Sequence, residues 1–193
     1  GNTVGLFIDG GSNNVIGQSN TYDPVTSALT RFGTVTAVAN DTYGIHIKGG
    51  GSNSLQNVIA GATLYNINGT NTNNGNHLDG LHIEASKDNK IGFAGTSAED
   101  ALNYFNIFSG NGENGIYITG NSPRNAIVNS YIGTDGNGAL IGNEANGIFL
   151  ENVTGISSLA DGITIGGTAP GSLNLIQDNG SAGIRILRGS GFS

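Results

Sequence analysis

Apolar and polar residues alternate in short segments along the whole chain, and Gly, Asn, Asp or Ser interrupts them every few residues. Alternation with a period of two is typical of β-strands that bury one face. No segment keeps the 3.6-residue period of a helix; the best candidate, residues 97–105 (SAEDALNYF), is interpreted as a loop. The pattern therefore predicts an all-β protein built from many short strands.

A short phrase, Gly-aliphatic-x-aliphatic, repeats through the chain. It occurs as GLFI at Gly5, GIHI at Gly44, GLHI at Gly80, GIYI at Gly115, GIFL at Gly147 and GIRI at Gly183. Successive glycines of this phrase are 39, 36, 35, 32 and 36 residues apart. Such a repeat indicates a solenoid in which each repeat forms one turn.

Other strand-like segments lie between successive phrases. Alternate turns carry a segment that ends in Ile-Gly, at Gly17, at Gly92 and at Gly166–Gly167, whereas the turns between carry a longer apolar segment that starts at Asn57 or Asn125. This alternation predicts that the true period is a pair of turns. Third strands are predicted in YFNIF, from Tyr104, and NLIQDN, from Asn174.

Three strands per turn, returning in the same order, favour a coil over a sandwich joined by hairpins. In a coil each strand stacks on its equivalent in the next turn, and parallel hydrogen-bond ladders satisfy the N–H and C=O groups of the backbone. We therefore predict one domain over residues 1–193: a parallel β-helix (solenoid) of about five turns of about 36 residues. Asparagines at the turns are expected to bond one another along the axis.

The second half of the chain resembles a known repeat. NSYIGTDGNGALIGNEANGIFL, from Asn129, and GITIGGTAPGSLNLIQDNGSAGIRI, from Gly162, are similar to the right-handed parallel β-helix repeat of large bacterial extracellular and cell-surface proteins. The resemblance is close from about residue 110 to the end. It is looser before that, where residues 22–38 (YDPVTSALTRFGTVTAV) replace the expected loop and strand. It implies a right-handed coil and an extracellular or cell-surface location in a bacterium.

The composition argues against several classes of binding partner and of chemistry. A net charge of -7 with seven Lys plus Arg argues against nucleic acid or an anionic membrane surface as a partner. No apolar run reaches 18 residues, so no membrane insertion is expected. The absence of cysteine excludes disulfides and thiol chemistry. Neither end carries a closing segment, so we expect either a piece of a longer solenoid or a subunit that stacks end to end into a filament.

The residue between the two aliphatics of each phrase should point outward. These positions predict one stacked column: Phe7, His46, His82, Tyr117, Phe149 and Arg185. Aromatic residues favour strand surfaces for structural reasons alone. The alternative is a carbohydrate-binding ladder whose ring faces contact successive pyranoses. A second column lies beside it: Asp9, Lys48, Glu84, Thr119, Glu151 and Leu187. Its first three residues alternate in charge and are expected to form ion pairs.

All three histidines, His46, His77 and His82, lie on adjacent turns, close to Asp79, Glu84 and Lys48. A base that titrates near neutrality beside a carboxylate is what acid–base catalysis requires, so the candidate catalytic residues are His46, His82 and Glu84. A weak zinc site formed by the same three residues is a less favoured alternative to catalysis. The main expectation includes no metal and no cofactor, and a structural role for the histidines stays open.

Two functions remain. The first is a non-catalytic β-helical segment of a secreted or cell-surface protein: a rigid structural, adhesin or filament element that contacts carbohydrate along the ring column. The second is a polysaccharide lyase, glycoside hydrolase or epimerase that acts on an acidic polysaccharide. Residues Asp79–Ile83 (DGLHI) resemble a strand of polygalacturonase-type glycosidases, but the chain lacks the Asp-Asp, Gly-His-Gly and Arg-x-Lys motifs of those enzymes.

Overall fold

The computed structural model describes residues 1–17, 21–23, 28–30, 35–61, 75–93, 104–135 and 139–188. Sixteen of the strands in these ranges belong to three parallel sheets. The first sheet contains, in stacking order, β1 (Leu6–Asp9), β6 (Ile45–Lys48), β9 (Leu81–Glu84), β12 (Ile116–Asn121), β15 (Ile148–Thr154) and β18 (Ile184–Leu187). The second contains β2 (Val15–Ile16), β7 (Ser54–Leu55), β10 (Lys90–Ile91), β13 (Ala126–Ile127) and β16 (Thr164–Ile165). The third contains β5 (Val35–Ala37), β8 (Val58–Gly61), β11 (Asn106–Ser109), β14 (Ser130–Ile132) and β17 (Leu175–Ile176).

The chain passes through the first, second and third sheets in turn and then returns to the first, one strand further along. This is a parallel β-solenoid, so the predicted fold class is confirmed. Two further strands, β3 (Thr21–Asp23) and β4 (Ala28–Thr30), pair as an antiparallel hairpin. The hairpin lies in the segment whose sequence departs from the repeat.

The structural repeat is a single coil, so the prediction of a two-turn period is wrong. The short strands β7 and β13 lie in the second sheet beside the Ile-Gly strands β2, β10 and β16. β7 has one buried apolar residue, Leu55, so its sequence gives little sign of a strand, whereas β13 is the first part of the longer apolar segment from Asn125. The longer apolar segments contribute strands to the third sheet, as every coil does.

The core is a set of apolar columns along the coil axis. In the first sheet Ile45 pairs with Leu81, Leu81 with Ile116, and Ile116 with Ile148, all in register. All four side chains are fully buried. Burial of such a side chain contributes about 1.5–3 kcal/mol. The stacking thus supplies the main stabilisation of each coil against its neighbours.

Two ladders of asparagine side chains run parallel to these columns, as the sequence predicts. In each ladder the side-chain amide of one residue donates to the Oδ1 of the next, over 2.7–2.9 Å. One ladder contains Asn14, Asn53, Asn89 and Asn125; the other contains Asn40, Asn76, Asn111, Asn143 and Asn179. Most of these residues are buried, so an apolar replacement would leave the neighbouring amides without partners.

The glycine of the repeated phrase is required by close approach between coils. A Cβ on Gly80 would lie 2.7 Å from the carbonyl oxygen of Gly115 and 2.8 Å from Nδ2 of Asn111. A Cβ on Gly44 would lie 2.7 Å from the carbonyl oxygen of Gly80. The coils can therefore stack at this spacing only if the position carries no side chain.

The described residues contain one helical element, a 3₁₀ turn over Leu159–Asp161, and no helix among them is long and apolar enough to cross a bilayer. Most of the segment interpreted as a loop, residues 97–103, lies outside the described residues. Its last two residues, Tyr104 and Phe105, directly precede β11.

We expect Gly80→Ala to destabilise the fold by about 1–3 kcal/mol, or to prevent folding, because rigid backbone atoms surround the added methyl group. Gly162→Ala is the matched control, since a Cβ there meets one atom, the carbonyl oxygen of Leu159, at 3.3 Å. Urea unfolding followed by circular dichroism measures both variants. Equal stability of the two would contradict the close approach of the coils.

Candidate functional site

The predicted ring column exists and runs along the outer surface of the first sheet. Its residues pair in register from Phe7 on β1 to Arg185 on β18. The rings of Phe7 and His46 stack with centroids 4.9 Å apart, and those of Tyr117 and Phe149 stack with centroids 5.2 Å apart. At the far end, Cζ of Arg185 lies 5.1 Å from the centroid of Phe149.

The ring orientation affects what the column can bind. The two stacked pairs direct their faces toward one another, Arg185 covers a face of Phe149, and His82 meets His46 and Tyr117 edge to face. Phe7 is the most accessible aromatic residue of the column at 51% exposure, whereas His82 is 8% exposed. A ligand on this surface would therefore meet mainly ring edges, together with the exposed part of Phe7.

The buried carboxylate of Asp79 orients His82. Asp79 ends a third, shorter ladder, in which the equivalent residues of the next two coils are asparagines: Asn146 donates to Asn114, and Asn114 donates to Oδ1 of Asp79. The other carboxylate oxygen, Oδ2, lies 2.9 Å from Nδ1 of His82. An ionised carboxylate only accepts hydrogen bonds, so for a neutral imidazole this contact favours the tautomer with the proton on Nδ1 and the lone pair on Nε2.

His46 and Glu84 complete the cluster beside His82. Nε2 of His46 lies 3.4 Å from Oε2 of Glu84, while Oε1 of Glu84 pairs with Lys48 over 3.2 Å. Nε2 of His46 is shielded from solvent, and no described residue forms a hydrogen bond with it. One ligand atom each from His46, His82 and Glu84 lies within 4.8 Å of the others.

The second outward column also stacks in register, from Asp9 to Leu187. Lys48 and Glu84 form the predicted ion pair across two coils. Among the described residues no ion pair joins Asp9 to Lys48. Further along, the hydroxyl of Tyr117 donates to Glu151, and burial together with that bond raises the pKa of Tyr117 to about 12.

Burial and neighbouring charges set the protonation of the cluster. Burial lowers the pKa of His46, and nearby His82 lowers it further, although Glu84 partly opposes this. Burial alone would raise the pKa of Glu84, but the hydrogen bond and charge of Lys48, followed by the contact with His46, lower it overall. Near neutral pH the cluster therefore contains a neutral imidazole beside a carboxylate.

Tyr43 belongs to the site although the sequence reasoning missed it. It precedes the glycine of its phrase, in the position that Asp79 occupies one coil later. Its ring lies 4.4 Å from the ring of His82 and 5.0 Å from that of His46, between centroids, and so covers both imidazoles on one side. Burial raises its pKa, and the charges of Asp79, Glu113 and Glu84 add to the effect.

The structure thus brings together the three candidate catalytic residues, His46, His82 and Glu84, and adds Asp79 and Tyr43 around them. His77 has an exposed side chain and is not part of the group of potential ligand atoms. Phe7, Tyr117, Phe149 and Arg185 extend the column on either side of the cluster.

Comparison of the chain with models of protein families, with curated proteins and with solved structures finds no match.

We expect the Asp79→Asn variant to fold and to lose the preference of His82 for the tautomer protonated on Nδ1. Asparagine occupies the equivalent position in the next two coils, so the ladder tolerates the amide. While its oxygen accepts from Asn114, the amide places its nitrogen toward Nδ1 of His82 and can donate to a bare Nδ1, so the tautomer with the proton on Nε2 becomes accessible. The ¹⁵N shifts of the imidazole nitrogens, with His77 as the internal control, should show protonated Nδ1 in the original protein and a mixture in the variant. An unchanged His82 tautomer in Asp79→Asn would contradict this role of Asp79.

Proposed function

We propose that the chain is a rigid β-helical segment of a secreted or cell-surface bacterial protein and that it binds carbohydrate along the ring column of the first sheet. The observation that supports this most directly is the in-register column from Phe7 to Arg185. Carbohydrate sites commonly combine aromatic rings with carboxylates and amides, because sugars present both C–H and O–H groups.

The stacking supports a structural or adhesive role. Six parallel strands about 4.8 Å apart extend over about 24 Å, and each is hydrogen-bonded to the next. Buried asparagine ladders add bonds in the same direction. Such a segment holds its surface groups at fixed spacing, as a spacer, adhesin or filament element must. End-to-end stacking into a filament stays a prediction.

The polar groups beside the column indicate the type of glycan. Asp9, Glu84 and Glu151 lie in the neighbouring column, where their carboxylates can accept hydrogen bonds from sugar hydroxyls, and the ammonium of Lys48 in the same column can donate to sugar oxygens. The net charge of -7 disfavours a polyanion. We therefore expect neutral polysaccharides to bind better than uronate polymers. The proposed location is supported by the resemblance of residues 110–193 to repeats of bacterial surface proteins.

A second candidate is a carbohydrate-active enzyme, and the Asp79–His82 pair is the observation that favours it. A carboxylate that fixes the tautomer of an imidazole is a common way to prepare a general base. Tyr43, His46 and Glu84 lie beside this pair and could bind a substrate hydroxyl or carboxylate. Lyase, hydrolase and epimerase chemistry all remain within this candidate.

Affinity electrophoresis in gels that contain single polysaccharides, neutral and acidic, tests the binding proposal. We expect retention by at least one neutral polymer, and we expect Phe7→Ala to weaken it about fivefold or more, the loss of about 1 kcal/mol typical of an aromatic contact. Phe93→Ala is the matched control, because Phe93 is 41% exposed but lies outside the ring column. No retention by any polymer, or equal loss in both variants, would remove the binding proposal and leave a rigid structural segment.

Incubation of the protein with the same polysaccharides tests the second candidate, an enzyme. The polymers are then analysed for new reducing or unsaturated ends. Turnover that His82→Ala abolishes would favour the enzyme over the binding segment. Intact polymers across the panel would count against it.

A further inference from the structure

We propose that His46, His82 and Glu84 form a binding site for a divalent transition-metal ion, with Zn²⁺ as the best-fitting ion, on the outer surface of the first sheet. The proposal is independent of carbohydrate binding, because it rests on three side chains at one point of the column. These residues come from two adjacent strands, β6 and β9, which pair in register, so the backbone fixes their relative positions.

The distances suit a metal ion. Two ligand atoms about 2.1 Å from a tetrahedral zinc ion lie about 3.4 Å apart. Nε2 of His46 and Oε2 of Glu84 have this separation, 3.4 Å. The three ligand atoms lie within 4.8 Å of one another, and the side chain of Glu84 is partly exposed, so it has room to adjust to an ion.

The donor atoms of the three side chains are available to a metal ion. Nε2 of His46 is buried without a hydrogen bond from any described residue, which is costly for a polar atom unless it has a partner. His82 uses Nδ1 for Asp79, so Nε2 is its free nitrogen. Glu84 divides its oxygens, with Oε1 toward Lys48 and Oε2 toward His46.

The surrounding residues resemble the outer shell of known metal sites. A ligating histidine usually donates its other N–H to a carboxylate, which orients the ring and increases its basicity, and Asp79 is placed to do this for His82. A ligating carboxylate is usually hydrogen-bonded as well, and Lys48 supplies that bond to Glu84. The ring of Tyr43 shields the two imidazoles on one side.

Two imidazoles and one carboxylate favour zinc or a neighbouring ion over calcium or magnesium, which prefer oxygen ligands. Three protein ligands leave a fourth tetrahedral position. Zinc sites of this kind keep that position for water or a ligand oxygen, whereas structural zinc sites fill it with a fourth side chain.

Isothermal titration of the metal-free protein with Zn²⁺ tests the site. We expect one ion per chain and a loss of affinity of at least about tenfold in His82→Ala and Glu84→Gln. Asp79→Asn should lose about 10- to 100-fold, as is usual for the partner of a ligating histidine. His77→Ala is the matched control, since His77 is the chain's one histidine outside the cluster, and it should bind as the original protein does.

Circular dichroism shows whether each variant is folded, and Glu84→Gln keeps the test valid if His82→Ala does not fold, because Glu84 is partly exposed. Bound Co²⁺ gives a second readout, since strong visible absorption reports a tetrahedral site. Binding that does not saturate at one ion per chain, or equal weakening in His77→Ala and Glu84→Gln, would overturn the proposal.

Discussion

The structure depends on one constraint: each coil hydrogen-bonds to the next in register, so equivalent residues lie directly above one another. Leu81 therefore lies between Ile45 and Ile116, and His82 between His46 and Tyr117. The constraint acts on every side chain in the same way, whether apolar, amide or aromatic. It also explains the absence of a side chain at Gly44 and Gly80, where a Cβ would lie 2.7 Å from a carbonyl oxygen of the next coil.

The candidate site arises where the repeat changes while the register is kept. Asparagine continues the short ladder at positions 114 and 146, but an aspartate and a tyrosine occupy the equivalent places at 79 and 43. Asp79 ends the ladder with a carboxylate, which holds His82, and Tyr43 covers both imidazoles. Two substitutions in a structural column thus convert one place on a uniform surface into a cluster with specific chemistry.

The columns could be predicted from the sequence because the Gly-aliphatic-x-aliphatic phrase fixes both the register and the buried face. That reasoning found the ring column and the proximity of His46, His82 and Glu84. It missed the strand at Ser54–Leu55, because a single buried leucine gives no periodicity. It also missed Tyr43, whose position outside the strand says nothing about where its ring lies. Ring orientation depends on neighbouring side chains in other coils, so the local sequence could not reveal the stacked faces.

Cross-linking between introduced cysteines tests the register most directly, because the chain has no cysteine of its own. Thr119 and Glu151 are direct partners on adjacent strands, whereas Lys48 and Thr119 are separated by β9, at about 9–10 Å. A disulfide requires Cα atoms less than about 7 Å apart. The stacked coil predicts rapid intramolecular oxidation of Thr119→Cys with Glu151→Cys and none of Lys48→Cys with Thr119→Cys. The reverse result, or equal oxidation of both pairs, would contradict it.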